Sequence, residues 1–243
     1  LGGLLVEGAG SPACAQYAGG VLPPGVEAAP PNNTMALNSA LARLGQNPRD
    51  LVALLDAGNA AMAIGDIDAA VGFFTRADQV SPGNPRVKSG LASALVLNGN
   101  PFDAIPIFTE AERSGGLDSK AQLDRGLAYD LVADNATAQR YYRQSLAAAP
   151  SDEGLRRLSL SLAIAGDRKA SETAIKPLLD RQDKAAWRAR AFALAILNKP
   201  DEAISIVKST LPLDLANAIS PYLRYMPRLT PAQQAAAANF GQF

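Results

Sequence analysis

A spacing of 34 residues runs through the middle of this chain and restricts its fold more than any other feature. Ala70, Ala104 and Ala138 are 34 apart, Gly65 and Gly99 repeat the step, and Phe74, Phe108 and Tyr142 keep the same register. Pro82 and Pro150 lie two such steps apart. So do Gly58 and Gly126, with Ala92 midway, while Ala77, Ala111 and Ser145 add another column of small side chains. A fixed period of roughly 20–50 residues marks an array of supersecondary units, none of which can bury its apolar face without a neighbour.

The units are helical. The apolar fraction of 48% is dominated by Ala and Leu, and aromatics make up only 6% of the chain, a balance that favours helices over strands. Two helices that cross closely leave room for no more than a hydrogen or a methyl group. Gly58, Ala70, Ala92, Ala104, Gly126 and Ala138 are therefore expected where neighbouring rods touch backbone to backbone. Gly65 and Gly99 are expected to end the first helix of their units in the left-handed conformation. The aromatics at 74, 108 and 142 then wedge between successive units.

This pattern resembles the tetratricopeptide repeat. The unit at about 50–84 carries Ala57-Gly58, Gly65, Ala70, Phe73-Phe74, Ala77 and Pro82. The next, 85–118, has Leu91-Ala92, Gly99, Ala104, Phe108 and Ala111, and the third, 119–151, has Gly126, Tyr129, Ala138, Tyr141-Tyr142 and Pro150. Beyond Pro150 the register slips, yet Leu155, Leu158, Leu162, Gly166, Ser171, Ile175 and Leu178 fit a degenerate unit at 152–183. In the last, 184–212, Trp187 takes the family's early tryptophan position, and Asn198-Lys199-Pro200 replaces the turn glycine, so its connection is expected to be longer or differently angled. The resemblance implies an all-α, right-handed solenoid of about five helix-turn-helix repeats.

Flanking segments complete the organisation. Met35, Leu37, Leu41 and Leu44 recur at helical spacing before Gly45, giving a leading helix over 34–49. Pro23, Pro24, Pro30 and Pro31 make 16–33 an extended linker. Within 1–15, Leu1–Val6 followed by Ala13-Cys14-Ala15 reads as the remnant of an export signal. Periplasmic localisation is thus expected, with lipidation at Cys14 and a cytoplasmic setting as alternatives. Residues 213–243 are expected to form C-terminal capping helices that seal the last unit, one starting at Thr230-Pro231. Tyr222 to Gly241 resembles the segment that joins repeats to a peptidoglycan-binding SPOR domain in some alphaproteobacterial envelope proteins. The natural protein is expected to continue past Phe243, although no SPOR residues lie within this sequence.

The residue inventory argues against catalysis. The chain has no histidine and one cysteine, Cys14, which removes the commonest general base and metal ligand as well as any intramolecular disulfide. Ser89 beside Lys88, and Asp152 beside Glu153, are read as solvated helix ends. No glycine-rich stretch has the Lys-Ser/Thr context of a phosphate loop. No enzyme activity, cofactor or metal is expected. Lys plus Arg equals Asp plus Glu at 23 each, so no net field draws in nucleic acid or an anionic membrane, and no apolar run is long enough to span a bilayer.

Binding is the expected function, through the concave groove that the resemblance implies. Its lining positions are Val52, Leu55, Asn59, Met62, Arg86, Ser89, Ser93, Lys120, Leu123, Leu127, Arg156, Leu160, Arg188 and Phe192. Arg86, Lys120, Arg156 and Arg188 either form a basic stripe for an acidic segment or terminal carboxylate, or are ordinary solvated charges. A carboxylate clamp of the chaperone-binding kind is not expected: Asn59 matches one clamp position, but Leu55 and Gly90 occupy two others. The resemblance implies a scaffold of the bacterial cell envelope that holds a protein or peptide partner. The alternatives are a pilus or secretion-system assembly factor, and a non-catalytic portion of a larger enzyme or SPOR protein with an indirect link to peptidoglycan.

Overall fold

A computed structural model describes residues 31–241; the leader, Cys14 and most of the Pro-rich stretch fall outside them. The described residues contain helices and no strand. In chain order the elements are α1 (Pro31–Gln46), α2 (Leu51–Ile64), α3 (Ile67–Val80), α4 (Pro85–Leu97), α5 (Pro101–Gly115), α6 (Ser119–Leu131) and α7 (Asn135–Ala148). They continue with α8 (Asp152–Ile164), α9 (Arg168–Asp180), α10 (Lys184–Ile196), α11 (Pro200–Thr210), α12 (Leu213–Tyr225), a short 3-10 turn (Met226–Arg228) and α13 (Pro231–Phe240). α1 begins before the expected Thr34, because Pro31 suits the first turn of a helix, where an N–H is not needed.

The starts of the helices are written periodically. Asp50, Asn84, Asp118, Ser151 and Asp183 precede α2, α4, α6, α8 and α10, and each side chain accepts a hydrogen bond from a backbone N–H in the first turn. Asp66, Asp134 and Asp167 do the same for α3, α7 and α9. α5 and α11 lack a side-chain cap and begin instead with Pro101 and Pro200, whose fixed φ is already helical. A cap of this kind is worth about 1 kcal/mol.

The turns inside the pairs follow one plan. Gly65, Gly99 and Gly166 sit at φ +86°, +78° and +84°, left-handed backbone that favours glycine. Ala133 and Asn198 take the same role at φ 65° and 60°. The connection between α10 and α11 is therefore no longer than the one between α6 and α7. Asn198 adopts the left-handed conformation that Asn tolerates better than other non-glycine residues.

Ala70, Ala104 and Ala138 are fully buried, as are Phe74, Phe108 and Tyr142. The glycines serve a purpose other than backbone contact. A Cβ on Gly58 would lie 2.7 Å from the Phe74 ring, one on Gly126 would lie 2.5 Å from Tyr142, and one on Gly90 of the next pair would run into the Phe74 ring as well. The missing side chains make room for the aromatic wedge, so ring-to-backbone packing replaces the expected backbone-to-backbone contact.

From α1 to α12 each helix packs on the next in sequence, and α2, α4, α6, α8 and α10 also pack on one another in succession. Among the described residues, no two successive second helices do so. The first helices thus lie on the inside of the bend, and their free sides form one continuous face. α12 rests on α11 and α10 and closes the stack, but α13 does not extend it. After the 3-10 turn the chain reverses, and α13 lies across α6 and α8 and reaches α10.

Candidate partner-binding face

The inner face has a column of side chains nine residues after the cap of each first helix: Asn59, Ser93, Leu127, Leu160 and Phe192. It is polar at the N-terminal end of the array and apolar from α6 onward. Asn59 is exposed, whereas Leu127, Leu160 and Phe192 are 0%, 5% and 7% exposed. The change of character coincides with α13. Leu160 and Phe192 share an apolar cluster with Ala237, and Phe240 packs on the cluster that contains Leu127. Beside that contact, a hollow of about 270 Å³ is lined by Gly99, Phe102, Leu131, Ala232, Ala236 and Phe240.

The structure brings four of the expected groove residues together. Arg156, Leu160, Arg188 and Phe192 line a small hollow closed by Ala238 and Asn239 of α13. Asn59 lies elsewhere: with Arg43 and Asp56 it lines a hollow of about 420 Å³ between α1 and α2. Met62 is half-buried against the cluster around Ala61, Ala70 and Phe74, Leu123 is in the core with Tyr142, and Ser93 is buried. Val52, Arg86 and Lys120 are exposed.

The expected basic stripe divides in two. Arg86 and Lys120 sit two residues after their caps, Arg156 and Arg188 five residues after theirs. Arg156 is already matched by Glu153 at 3.0 Å and Asp183 at 3.5 Å. Beside it, Arg157 donates to Asp124 at 2.9 Å and to Glu153 at 2.8 Å. Burial pushes the Glu153 carboxyl up, but Arg157 and Arg156 outweigh it and hold the group below its usual range. Among the described residues no ion pair is formed by Arg86, Lys120 or Arg188.

The side chains weighed for catalysis have other employment. Ser89 Oγ donates to the Pro85 carbonyl at 2.6 Å, Lys88 pairs with Glu110 at 3.1 Å, and Asp152 pairs with Arg181 at 2.7 Å. Among the described residues no helix is long and apolar enough to cross a membrane. What sequence reasoning missed is α13 as an occupant of the inner face. The apolar turn of the cap-plus-nine column at Leu127, Leu160 and Phe192, positions that open solvent would not favour, signals that this part of the face is covered without saying by which segment.

No protein-family model and no curated protein matches the sequence. Solved structures do match in fold. The chain is similar to the Cut9-Hcn1 hetero-tetramer of APC/C at a TM-score of 0.61 and 18% identity, covering 85% of this chain and 43% of that one. The chain thus spans less than half of that relative's length. A tetratricopeptide repeat protein from Parabacteroides merdae matches at a TM-score of 0.61 and 17% identity, over 85% of this chain and 84% of that one. PilW, described as a widely conserved type IV pilus biogenesis factor, matches at 0.61 and 18% identity, over 77% and 91%. The described residues therefore have the all-α fold of a tetratricopeptide solenoid.

Proposed function

We propose that this chain is a non-catalytic interaction scaffold that holds a segment of another protein on the face built by α2, α4, α6, α8 and α10. The observation that carries the reading is α13, a helix seated on α6, α8 and α10 of that same face. A surface that orders a ten-residue helix, too short to be stable alone, suits a helical or extended segment from elsewhere. YrrB, a tetratricopeptide protein described as having an unusual peptide-binding site, shares the fold at a TM-score of 0.52 and 15% identity over 80% of this chain and all of that one. Exposed Arg86, Lys120 and Arg188 support an acidic partner; Arg156 adds little, being neutralised internally.

The setting belongs to the same proposal. The apolar Leu1–Val6 and Ala13-Cys14-Ala15 support export to a bacterial cell envelope, where a domain joined after this segment would supply any link to peptidoglycan. A second reading, assembly of a pilus or secretion machine, is favoured by the likeness in fold to PilW.

The test is quantitative affinity purification from envelope extract. Arg86→Glu/Lys120→Glu alters the inner face, and Arg113→Glu/Arg143→Glu makes the same charge change on exposed positions of α5 and α7. A partner lost by the first variant and kept by the second is the expected result. Equal recovery by both would contradict the proposal.

A further inference from the structure

α13 has the chemistry of a ligand rather than of a structural cap. Its sequence, PAQQAAAANF, carries no charge, in a chain where 19% of residues are charged. Ala235 and Ala237 are fully buried, and alanine lets a helix approach another surface more closely than any larger side chain. Its start is fixed by Thr230, which forms a capping box with Gln233, and by Pro231 at the first position. At the other end Phe240 reaches the Leu127 cluster.

The wall it meets is matched to it. Leu127, Leu160 and Phe192 replace the polar Asn59 and Ser93 of the same column at the helices that α13 crosses, and nowhere earlier. The stack does not need α13 as an end cap, because α12 already covers α10 and α11. Only Leu229 and Thr230 separate α13 from the 3-10 turn, so the tether holds it at an effective concentration on the order of millimolar.

We propose that the face over α6, α8 and α10 is a docking site for a short, uncharged, alanine-rich helix with a Thr-Pro start and an aromatic near its end, supplied by another protein. α13 is its resident occupant in cis, and the incoming helix binds by displacing it. This rests on reading the first-helix face as a binding surface and names the partner for its C-terminal half. A tethered competitor weakens apparent affinity in proportion to the fraction of time the seat is filled, so the partner gains access only where its helix outcompetes α13.

The test uses the full chain and a fluorescent peptide of residues 229–241 as probe. Ala237→Arg places a charge in a dry contact, and Ala235→Pro breaks α13 without adding charge; neither touches the wall of the seat. Both variants are expected to bind the peptide at least about tenfold more tightly than wild type, since the cis competitor is gone. Adding Leu160→Glu is expected to abolish the gain. Variants whose solenoid still unfolds cooperatively and that bind no more tightly than wild type overturn the proposal. So does a wild-type dimer dissolved by Ala235→Pro, which would show the seat filled by exchange between copies. The assay contains no cellular partner, so its failure leaves the Arg86 and Lys120 face untouched, and a negative outcome there leaves the peptide result standing.

Discussion

Tyr142 donates its phenolic hydrogen to Asp130 over 2.8 Å, in a fully enclosed site beneath the inner face. The same carboxylate accepts from Asn135 at 2.6 Å and from Ser161 at 2.7 Å, so one side chain of α6 ties down both α7 and α8. Burial pushes the Asp130 carboxyl up to about 6, with Ser161, Asn135, Tyr142 and Arg157 pulling the other way.

That raised value gives a pH dependence of known sign. Between the ordinary value of 3.8 and about 6, the folded chain holds a proton that the unfolded chain has lost, so stability falls as pH rises through the window. The total is roughly 3 kcal/mol at about 1.4 kcal/mol per unit. Glu153, held below its ordinary 4.5, acts oppositely and loses its contribution as pH drops below that value. Chemical denaturation at pH 4, 5, 6 and 7 is expected to show the Asp130 slope in wild type and to lose it in Asp130→Asn.

Enlarging Gly126 drives a side chain into the Tyr142 ring, 2.5 Å from the would-be Cβ. Because both ring and glycine are buried in the stack, neither can move aside. Gly126→Leu is expected to cost about 1–3 kcal/mol, the usual penalty of overpacking, and to lower the melting midpoint. Gly72→Leu, at a position with no atom near its would-be Cβ, is the matched control and should change the midpoint far less.

Ala133 holds φ 65° where neighbouring units use glycine. The left-handed conformation costs a non-glycine residue about 1–2 kcal/mol, and glycine's greater freedom in the unfolded chain takes back about half. Ala133→Gly is therefore expected to stabilise by about 0.5–1 kcal/mol. Gly99→Ala should destabilise by a similar amount, read from denaturation midpoints at constant slope.

Asp124 and Arg157 form an ion pair at 2.9 Å with side chains 6% and 12% exposed. Removing the acid alone leaves Arg157 with only Glu153, so Asp124→Ala is expected to cost about 3 kcal/mol, the lower end for breaking a buried pair. Asp124→Leu/Arg157→Met, which removes both charges, should recover most of that loss in a double-mutant cycle.

Much of the fold was legible because a repeat array writes the same physical demand many times. Ala70, Ala104 and Ala138 announce close packing, Phe74 and Tyr142 the wedges, and Gly65 and Gly99 the turns. The caps form a column as well, Asp50, Asn84 and Asp118 at steps of 34, and it continues into the degenerate units as Ser151 and Asp183. At Gly58 and Gly126 the sequence says that a space is kept small without saying that the Phe74 and Tyr142 rings fill it. The candidate site was harder to read. Leu127, Leu160 and Phe192 occupy inner-face positions, but only a long-range reversal of the chain decides that α13 covers them, and no local pattern encodes that reversal.

The seating of α13 on the inner face can be measured directly with a photo-crosslinking benzoyl-phenylalanine at Phe102, which is 78% exposed at the rim of the α13 contact. Irradiation of the monomer, followed by peptide mapping, is expected to join residue 102 to the fragment that holds Ala232, Ala236 and Phe240. Adducts confined to α4, α5 and α6, with the 231–240 fragment free, would contradict the occupied inner face and the helix-docking site that follows from it.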